Sequence, residues 1–287
     1  MTCDDLFPVV ITCKDRIRCL DTTLRGLSAT LPETVPVYIA NDGSANPEMI
    51  RYLTTTDDLL LPVGFYPSHH QEWAARIGPL PEPEMVQGIA GRATIILRET
   101  PCGIKNFSDA IRIVLEETGA PGAIRIQDDV AFKLDWYRVL VEGLKCRAAG
   151  IVSGFRYFFE RRIFAETESP LFGELVQGYT GGILMGITRA LATANPMLLH
   201  NDITMAREMD KFWIDAARHV GFKVLVSQPG VAQHIGFHSE IFADRREFMV
   251  GGDNRLRRVD RSVTPPFAFA GEVRRFCGEN RVIHQAG

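Results

Sequence analysis

Apolar runs of strand length alternate with segments of helical period along the first part of the chain, and this order constrains the fold more than any other feature. Residues 8–13, PVVITC, read as a buried strand. KDRIRCLDTTLRGLSATL follows, with Ile17, Leu20, Leu24 and Leu27 at the three-to-four-residue spacing of an amphipathic helix. PVYIANDGS is a second strand running into a turn, because Asn41-Asp42-Gly43-Ser44 joins side chains that bond their own backbone to a glycine. PEMIRYLTTT reads as a short helix with proline in its first turn. The strand–helix–strand–helix order predicts a mostly parallel α/β sheet covered by helices.

The order continues less evenly. Residues 63–97 include PSHHQEW and GPLPEPEM and read as an irregular insertion or mobile loop, with His69 and His70 placed to form part of a lid. NFSDAIRIVLEETG predicts a helix with Asn106 or Ser108 as its cap and Gly119 as its stop. GAIRIQDDVAFKLDWY supplies a strand, LDWYRVLVEGLKCRAAG a helix and IVSGF a short strand. GELVQGYTGGILMGITRALATA combines a glycine-rich turn, an apolar run and a helix start. DITMAREMDKFWIDAARHVG is a helix ending at Gly221, and FKVLVSQPGVAQHIGFHS a last strand entering a loop. There is no internal repeat, and the tail beyond Gly251 has weak periodicity and reads as a surface wrap.

A chain of 287 residues holds one large α/β domain or two small ones, and 46% hydrophobic with 23% charged residues is ordinary for a soluble protein. No apolar run approaches the roughly 18 residues of a membrane span, and MTCDDLFPVV lacks the pattern of a signal peptide, so a cytoplasmic chain with no membrane partner is expected. Six cysteines without CxxC spacing read as reduced thiols. The net charge of −3 gives no global field for nucleic acid. From Arg245 onward, however, nine arginines face five acidic residues with no lysine. That tail either grips an anionic partner through its planar forks or packs on the domain through its arginine stems.

The strand in GAIRIQDDVAF ends in two adjacent acids, Asp128 and Asp129. Alternation would send them to opposite sides, but where the chain turns at a strand end both can reach one ligand. In open α/β sheets ligands bind beyond the carboxyl ends of the strands, where Asp42 also falls. Carboxylates there suit Mg²⁺ or Mn²⁺, which would neutralise a diphosphate and stabilise it as a leaving group. The competing reading makes the acids caps of the next helix, KLDWYRV.

A succession of motifs over roughly residues 8–240 resembles the GT-A glycosyltransferases, which use nucleotide-sugar donors. VVITCKDR is similar to that family's first strand, IANDGS to its second, and IRIQDD to its metal-binding DxD or EDD element, with Gln127 replacing the first acid. GYTGGILMGITRAL resembles its acceptor-side segment, MDKFWIDAARHVG its base-bearing segment, and QPGVAQHIGFHS a C-terminal loop of N-acetylglucosaminyltransferase-like members. The resemblance implies a GT-A (Rossmann-like) domain over 1–245, with a donor half over about 1–130 and an acceptor half over about 131–245. Residues 246–287 then form an irregular arginine-rich extension. It also implies a metal-dependent hexosyl transfer from a UDP-sugar or other nucleotide-sugar to a hydroxyl acceptor, with inversion.

Residue by residue, the resemblance implies that Asp129 and His234 ligate Mn²⁺ or Mg²⁺. Asp128 contacts the ribose or the metal, Asp42 the base, and Lys105, Arg112 and His238 the donor phosphates, while Phe212 and Trp213 stack on an acceptor ring. Gly181 and Gly182 let the backbone approach the sugar, and Asp210 is the general base. Each has a plainer alternative: Asp42 as the turn-forming aspartate, Arg112 as a solvated helix charge, Phe212 and Trp213 as core. Asp215 competes with Asp210 for the base role, but the two are about 140° apart on a helix and cannot both face one ligand. FRYFFERR, residues 155–162, is either a half-buried hairpin or a stacking surface. The acceptor is a glycan, a small molecule or a hydroxymethylated base in DNA. A nucleotidyltransferase on a related fold would want a glycine-rich basic loop after the first strand, which TCKDRIRCL lacks. A non-catalytic nucleotide- or glycan-binding module is the remaining alternative.

Overall fold

The computed structural model describes residues 6–45, 93–98, 104–155, 163–196 and 209–234, the strands between 247 and 285, and a few single positions. The strands are β1 (Val9–Cys13), β2 (Val37–Asn41), β3 (Ala93–Arg98), β4 (Gly122–Gln127), β5 (Val130–Phe132), β6 (Ala149–Ser153), β7 (Ile163–Glu166), β8 (Phe172–Gln177), β9 (Leu184–Thr188), β10 (Lys223–Ser227), β11 (Ala232–His234), β12 (Glu247–Val250), β13 (Arg255–Arg258), β14 (Val273–Cys277) and β15 (Arg281–Gln285). The described helices are α1 (Ile17–Thr30), α2 (Ile104–Thr118), α3 (Trp136–Leu144), α4 (Arg189–Ala194) and α5 (Met209–His219).

One mixed sheet runs in the order β15-β14-β3-β2-β1-β4-β9-β6-β10-β8-β7. The block β14-β3-β2-β1-β4 is parallel. The strand β9 then inserts antiparallel between β4 and β6. Every residue of β1 is buried, which is why VVITC reads as a continuous apolar run: helices cover both faces of the sheet. Leu20, Leu24 and Leu27 of α1 pack on one face with Trp136 and Leu140 of α3. On the other face, Ile111 and Val114 of α2 pack with Leu191 of α4 and with Trp213 and Ile214 of α5. Among the described residues no helix is long and apolar enough to cross a membrane.

Several expectations are corrected here. The segment read as irregular to residue 97 ends in β3, an inner strand; its apolar run ATIILR was masked by the proline-rich stretch before it. Neither Asn106 nor Ser108 caps α2, which begins at Ile104, so both lie within the helix and are buried. Asn106 instead donates from Nδ2 to the Ala40 carbonyl at 3.2 Å. The helix α3 stops at Leu144, with β6 starting at Ala149. The glycine-rich segment contains two strands, β8 and β9. In the arginine-rich tail, β12–β13 and β14–β15 form hairpins, and β14 joins the sheet on β3. Adjacent arginines in RLRR and VRRFC break the period-two pattern that would mark these strands. Gly119 and Gly221, with φ of +64° and +83°, end α2 and α5 as the sequence predicts. His69, His70, His238, residues 156–162 of the aromatic–arginine segment and residues 202–208 lie outside the described residues.

The topology gathers chain reversals at one edge. The strands β1, β2 and β4 end there, delivering Lys14–Arg16, Asp42 and Asp128–Asp129. Because β9 is antiparallel to β4, with Leu184 opposite Ile126, the Gly181–Gly182 turn enters at the same edge.

Candidate functional site

The two strand-end acids are both 1% exposed. They do not cap α3: β5 intervenes, and the helix begins after Asp135, which makes no side-chain cap bond. They meet at one guanidinium instead. Arg16 Nη2 pairs with Asp128 Oδ1, its Nε donates to Asp128 Oδ2 at 3.3 Å, and its Nη1 pairs with Asp129 Oδ2 at 2.5 Å. The Lys14 backbone N–H also donates to Asp128 Oδ2, at 3.4 Å. Arg16 is aimed by the turn after β1, where Asp15 takes a φ of 45° and donates its N–H to Ser44 Oγ at 3.0 Å. Burial opposes the charge on Arg16, but Asp128 and Asp129 outweigh it and hold the guanidinium protonated. Burial pushes the Asp128 carboxyl up to about 7, with Arg16 opposing and Asp129 adding to the rise.

A second arginine lies beneath. Arg125 sits in the middle of β4 and is 7% exposed, facing the α2 side of the sheet. Its Nε and Nη2 donate to Thr12 Oγ1 at 3.0 and 2.6 Å, and Nη1 donates to the Gly182 carbonyl. Its Cζ stands 4.7 Å over the Phe107 ring. Burial pulls its pKa down to about 10, against the upward pull of Asp210, Asp129 and Asp128, so it stays charged at neutral pH. Asp210, in the first turn of α5, lies against Gly182. A Cβ on Gly182 would overlap Asp210 Oδ1 and stand 2.8 Å from its Cγ and 3.4 Å from Arg125 Nη1. Gly182 is therefore required by close approach rather than by its dihedral angles.

Of the residues singled out in the sequence, Asp128, Asp129, Asp210 and Gly182 converge around these two arginines, and Gly181 is buried beside Gly182. Asp215 is the base candidate that does not converge: its side chain is 57% exposed and lies 3.7 Å from Arg218. Trp213 is fully buried and packs on Phe107 at 5.3 Å between ring centroids, so it is core and not an acceptor platform. Asp42 is 6% exposed at the end of β2, its N–H bonded to the Cys13 carbonyl at 2.9 Å. The turn-forming side chain is Asn41, whose Oδ1 accepts from Ser44 N at 3.0 Å. Lys105 is half-buried in the first turn of α2, which Asn106 ties to the end of β2. Arg112, with a side chain 14% exposed, pairs with Glu116 at 2.9 Å on its own helix. His234 ends β11 and stands opposite Val130 in the β5–β11 ladder, one residue from Asp129.

Arg16 and Arg125 were not anticipated from the sequence. A lone charge inside GAIRIQ was the available signal for Arg125, since a buried strand holds an arginine only where acids or carbonyls receive it. Arg16 stood among the helix charges of CKDRIR, with nothing local to single it out.

No protein-family model matches the chain, and no curated protein matches it either. Solved structures do. S. aureus TarS 1-349 in complex with UDP-GlcNAc superposes with a TM-score of 0.51 at 11% identity, over 84% of this chain and 61% of that one. GalNAc-T7 with UDP, GalNAc and Mn²⁺ also gives 0.51 at 11% identity, over 80% of this chain and 44% of that one. Both are GT-A-type glycosyltransferases. The chain therefore has the GT-A fold, a mixed α/β sheet flanked by helices, and spans about half the length of these two structures. Among the described side chains no group of three or more His, Cys, Asp or Glu is arranged around a metal position.

Two outcomes follow from this geometry. Gly182→Ala must displace Asp210 or the turn itself, and should lower unfolding free energy by roughly 1–3 kcal/mol in urea melts. Unchanged stability would mean that Asp210 does not rest on Gly182. Between about pH 4 and 7 the folded chain retains a proton on Asp128 that the unfolded chain has lost, so this group costs stability progressively as pH rises through that window. The melting temperature of Asp128→Asn relative to the parent, without divalent cation, should climb across it; a constant offset would contradict the raised pKa.

Proposed function

We propose that the chain is a glycosyltransferase that moves a sugar from a nucleotide-sugar, a UDP-sugar in the first instance, to a hydroxyl acceptor with inversion. The observation that carries this reading is the convergence of the adjacent Asp128 and Asp129 with Asp210, from a distant segment, at the strand ends of a GT-A fold. The donor's base lies at Asp42 and its phosphates at Lys105 and His238, while the backbone at Gly181 and Gly182 admits the sugar ring. Asp210 takes the proton from the acceptor hydroxyl as it attacks; a sugar hydroxyl is too weak an acid to attack unaided at neutral pH. The Arg125 guanidinium and the Asp210 carboxylate attract each other beside Gly182, which favours keeping that acid at the site.

The residues present fit a divalent cation. Asp128 and Asp129 supply hard oxygens, and the β5–β11 register brings His234 one residue from Asp129. Asp129 and His234 would hold Mn²⁺ or Mg²⁺, which when bound neutralises charge on the diphosphate leaving group. The GalNAc-T7 neighbour carries Mn²⁺ and UDP.

A glycan or small molecule is the default acceptor, and hydroxymethylated DNA belongs in the panel because of the arginine-rich β13 and β14. A nucleotidyltransferase is less well supported: the turn after β1, Lys14-Asp15-Arg16, holds no glycine.

A thermal-shift screen of UDP, GDP, CDP and TDP and their sugars, with and without Mn²⁺, tests the donor site. One nucleotide family should raise the melting temperature in a Mn²⁺-dependent way. Asp129→Ala should lose that shift, and Asp210→Asn should keep it while transfer falls about 10²–10⁴-fold. No shift from any nucleotide, or equal loss of binding and turnover in Asp210→Asn, would overturn the assignment.

A further inference from the structure

We propose that Arg16 is the resident counter-cation of the strand-end carboxylates, that a divalent cation binds by displacing it, and that the displaced guanidinium then grips the donor's diphosphate. The exchange rests on geometry alone; the last step rests also on the glycosyltransferase reading.

Arg16 occupies both Asp128 oxygens and Asp129 Oδ2. A Mg²⁺ or Mn²⁺ ion shared by these carboxylates sits at about 2.0–2.6 Å from its oxygens, inside the volume the guanidinium now fills. Two cations cannot share that space, so occupancy is exclusive. The two arginines of the cluster differ in their freedom to leave. Arg125 lies on an inner strand, 7% exposed and bonded to Thr12 and Gly182. Arg16 stands in the turn between β1 and α1, with a side chain 22% exposed, so part of it already meets solvent.

Exchange gives the site an economy of charge. Without a cation, two adjacent buried carboxylates would face each other across a low-dielectric edge, and Arg16 holds them together. When a divalent ion takes them over, the guanidinium is released beside the space where a cation-bound diphosphate lies. A planar fork there binds phosphate oxygens through paired hydrogen bonds. Cation and donor then bind with positive coupling, and by linkage each strengthens the other.

The test is Mn²⁺ binding to the full chain without donor, by electron paramagnetic resonance or calorimetry, for the parent, Arg16→Gln and Arg16→Lys. Arg16→Gln should bind Mn²⁺ roughly tenfold tighter, because nothing has to be displaced. It should melt below the parent in chelator, and the gap should close with saturating Mn²⁺. Arg16→Lys, which keeps a point charge but not the fork, should fall between, and serves if the glutamine variant does not fold. With Mn²⁺ present, UDP should bind Arg16→Gln more weakly than the parent. Equal or weaker Mn²⁺ affinity in Arg16→Gln overturns the exchange. Absence of Mn²⁺ binding in every variant overturns both the exchange and the cation role of Asp129. Tighter Mn²⁺ binding with no UDP binding in any variant upholds the exchange and rejects the donor reading.

Discussion

The buried charge of Arg125 is the constraint on which the site depends. An arginine in the middle of a core strand is costly unless its donors are received and its charge is balanced. Thr12 on β1, the Gly182 carbonyl before β9 and the carboxylates of Asp210, Asp129 and Asp128 meet those requirements. Thr12, Gly182 and Asp210 come from three different segments, and the adjacent Asp128 and Asp129 follow the arginine's own strand. Satisfying one guanidinium therefore fixes the register of β1 against β4, the path of the glycine turn and the docking of the first turn of α5. The strand order makes this possible, because only an antiparallel β9 beside β4 brings residues 181–182 to the edge where β4 ends.

The upper layer of the cluster is built differently. Arg16 also joins two acids, but from a turn and with part of its side chain in solvent. Three carboxyl groups face two guanidiniums in the cluster, and Asp128 gains its charge only as the pH rises toward neutrality. Lower dielectric at this edge strengthens every one of these interactions, and it makes Asp128 hold its proton to higher pH. A rigid lower arginine and a displaceable upper one divide the work between holding shape and exchanging ligands.

Much of this was legible in the sequence where local pattern and tertiary environment agree. The first two strands, α1, α2 and β4 stand close to where apolar runs and helical periods put them, since both faces of the central strands are covered and read as continuous apolar stretches. ATIILR was missed because a proline-rich neighbour dominated its window, and β8 and β9 because glycines broke their pattern. The acids and Gly182 were found through motif order. Arg16, which joins the two acids, was not, because a charge–charge partnership between residues more than a hundred positions apart leaves no periodicity. Which of Asp210 and Asp215 lies against Gly182 depends on which side of α5 faces the sheet, a fact of packing that helical period alone does not give.

Release of nucleoside diphosphate from a panel of nucleotide-sugars, followed by NMR without acceptor and with Mn²⁺, tests the central claim most directly. Water reaches an assembled donor site slowly when no acceptor fills it, so the account predicts slow release from donors of one nucleotide family, abolished by Asp129→Ala. A folded protein that leaves every donor intact, with no release above the Asp129→Ala background, would contradict a catalytic role for the strand-end acids and make the site one that only binds.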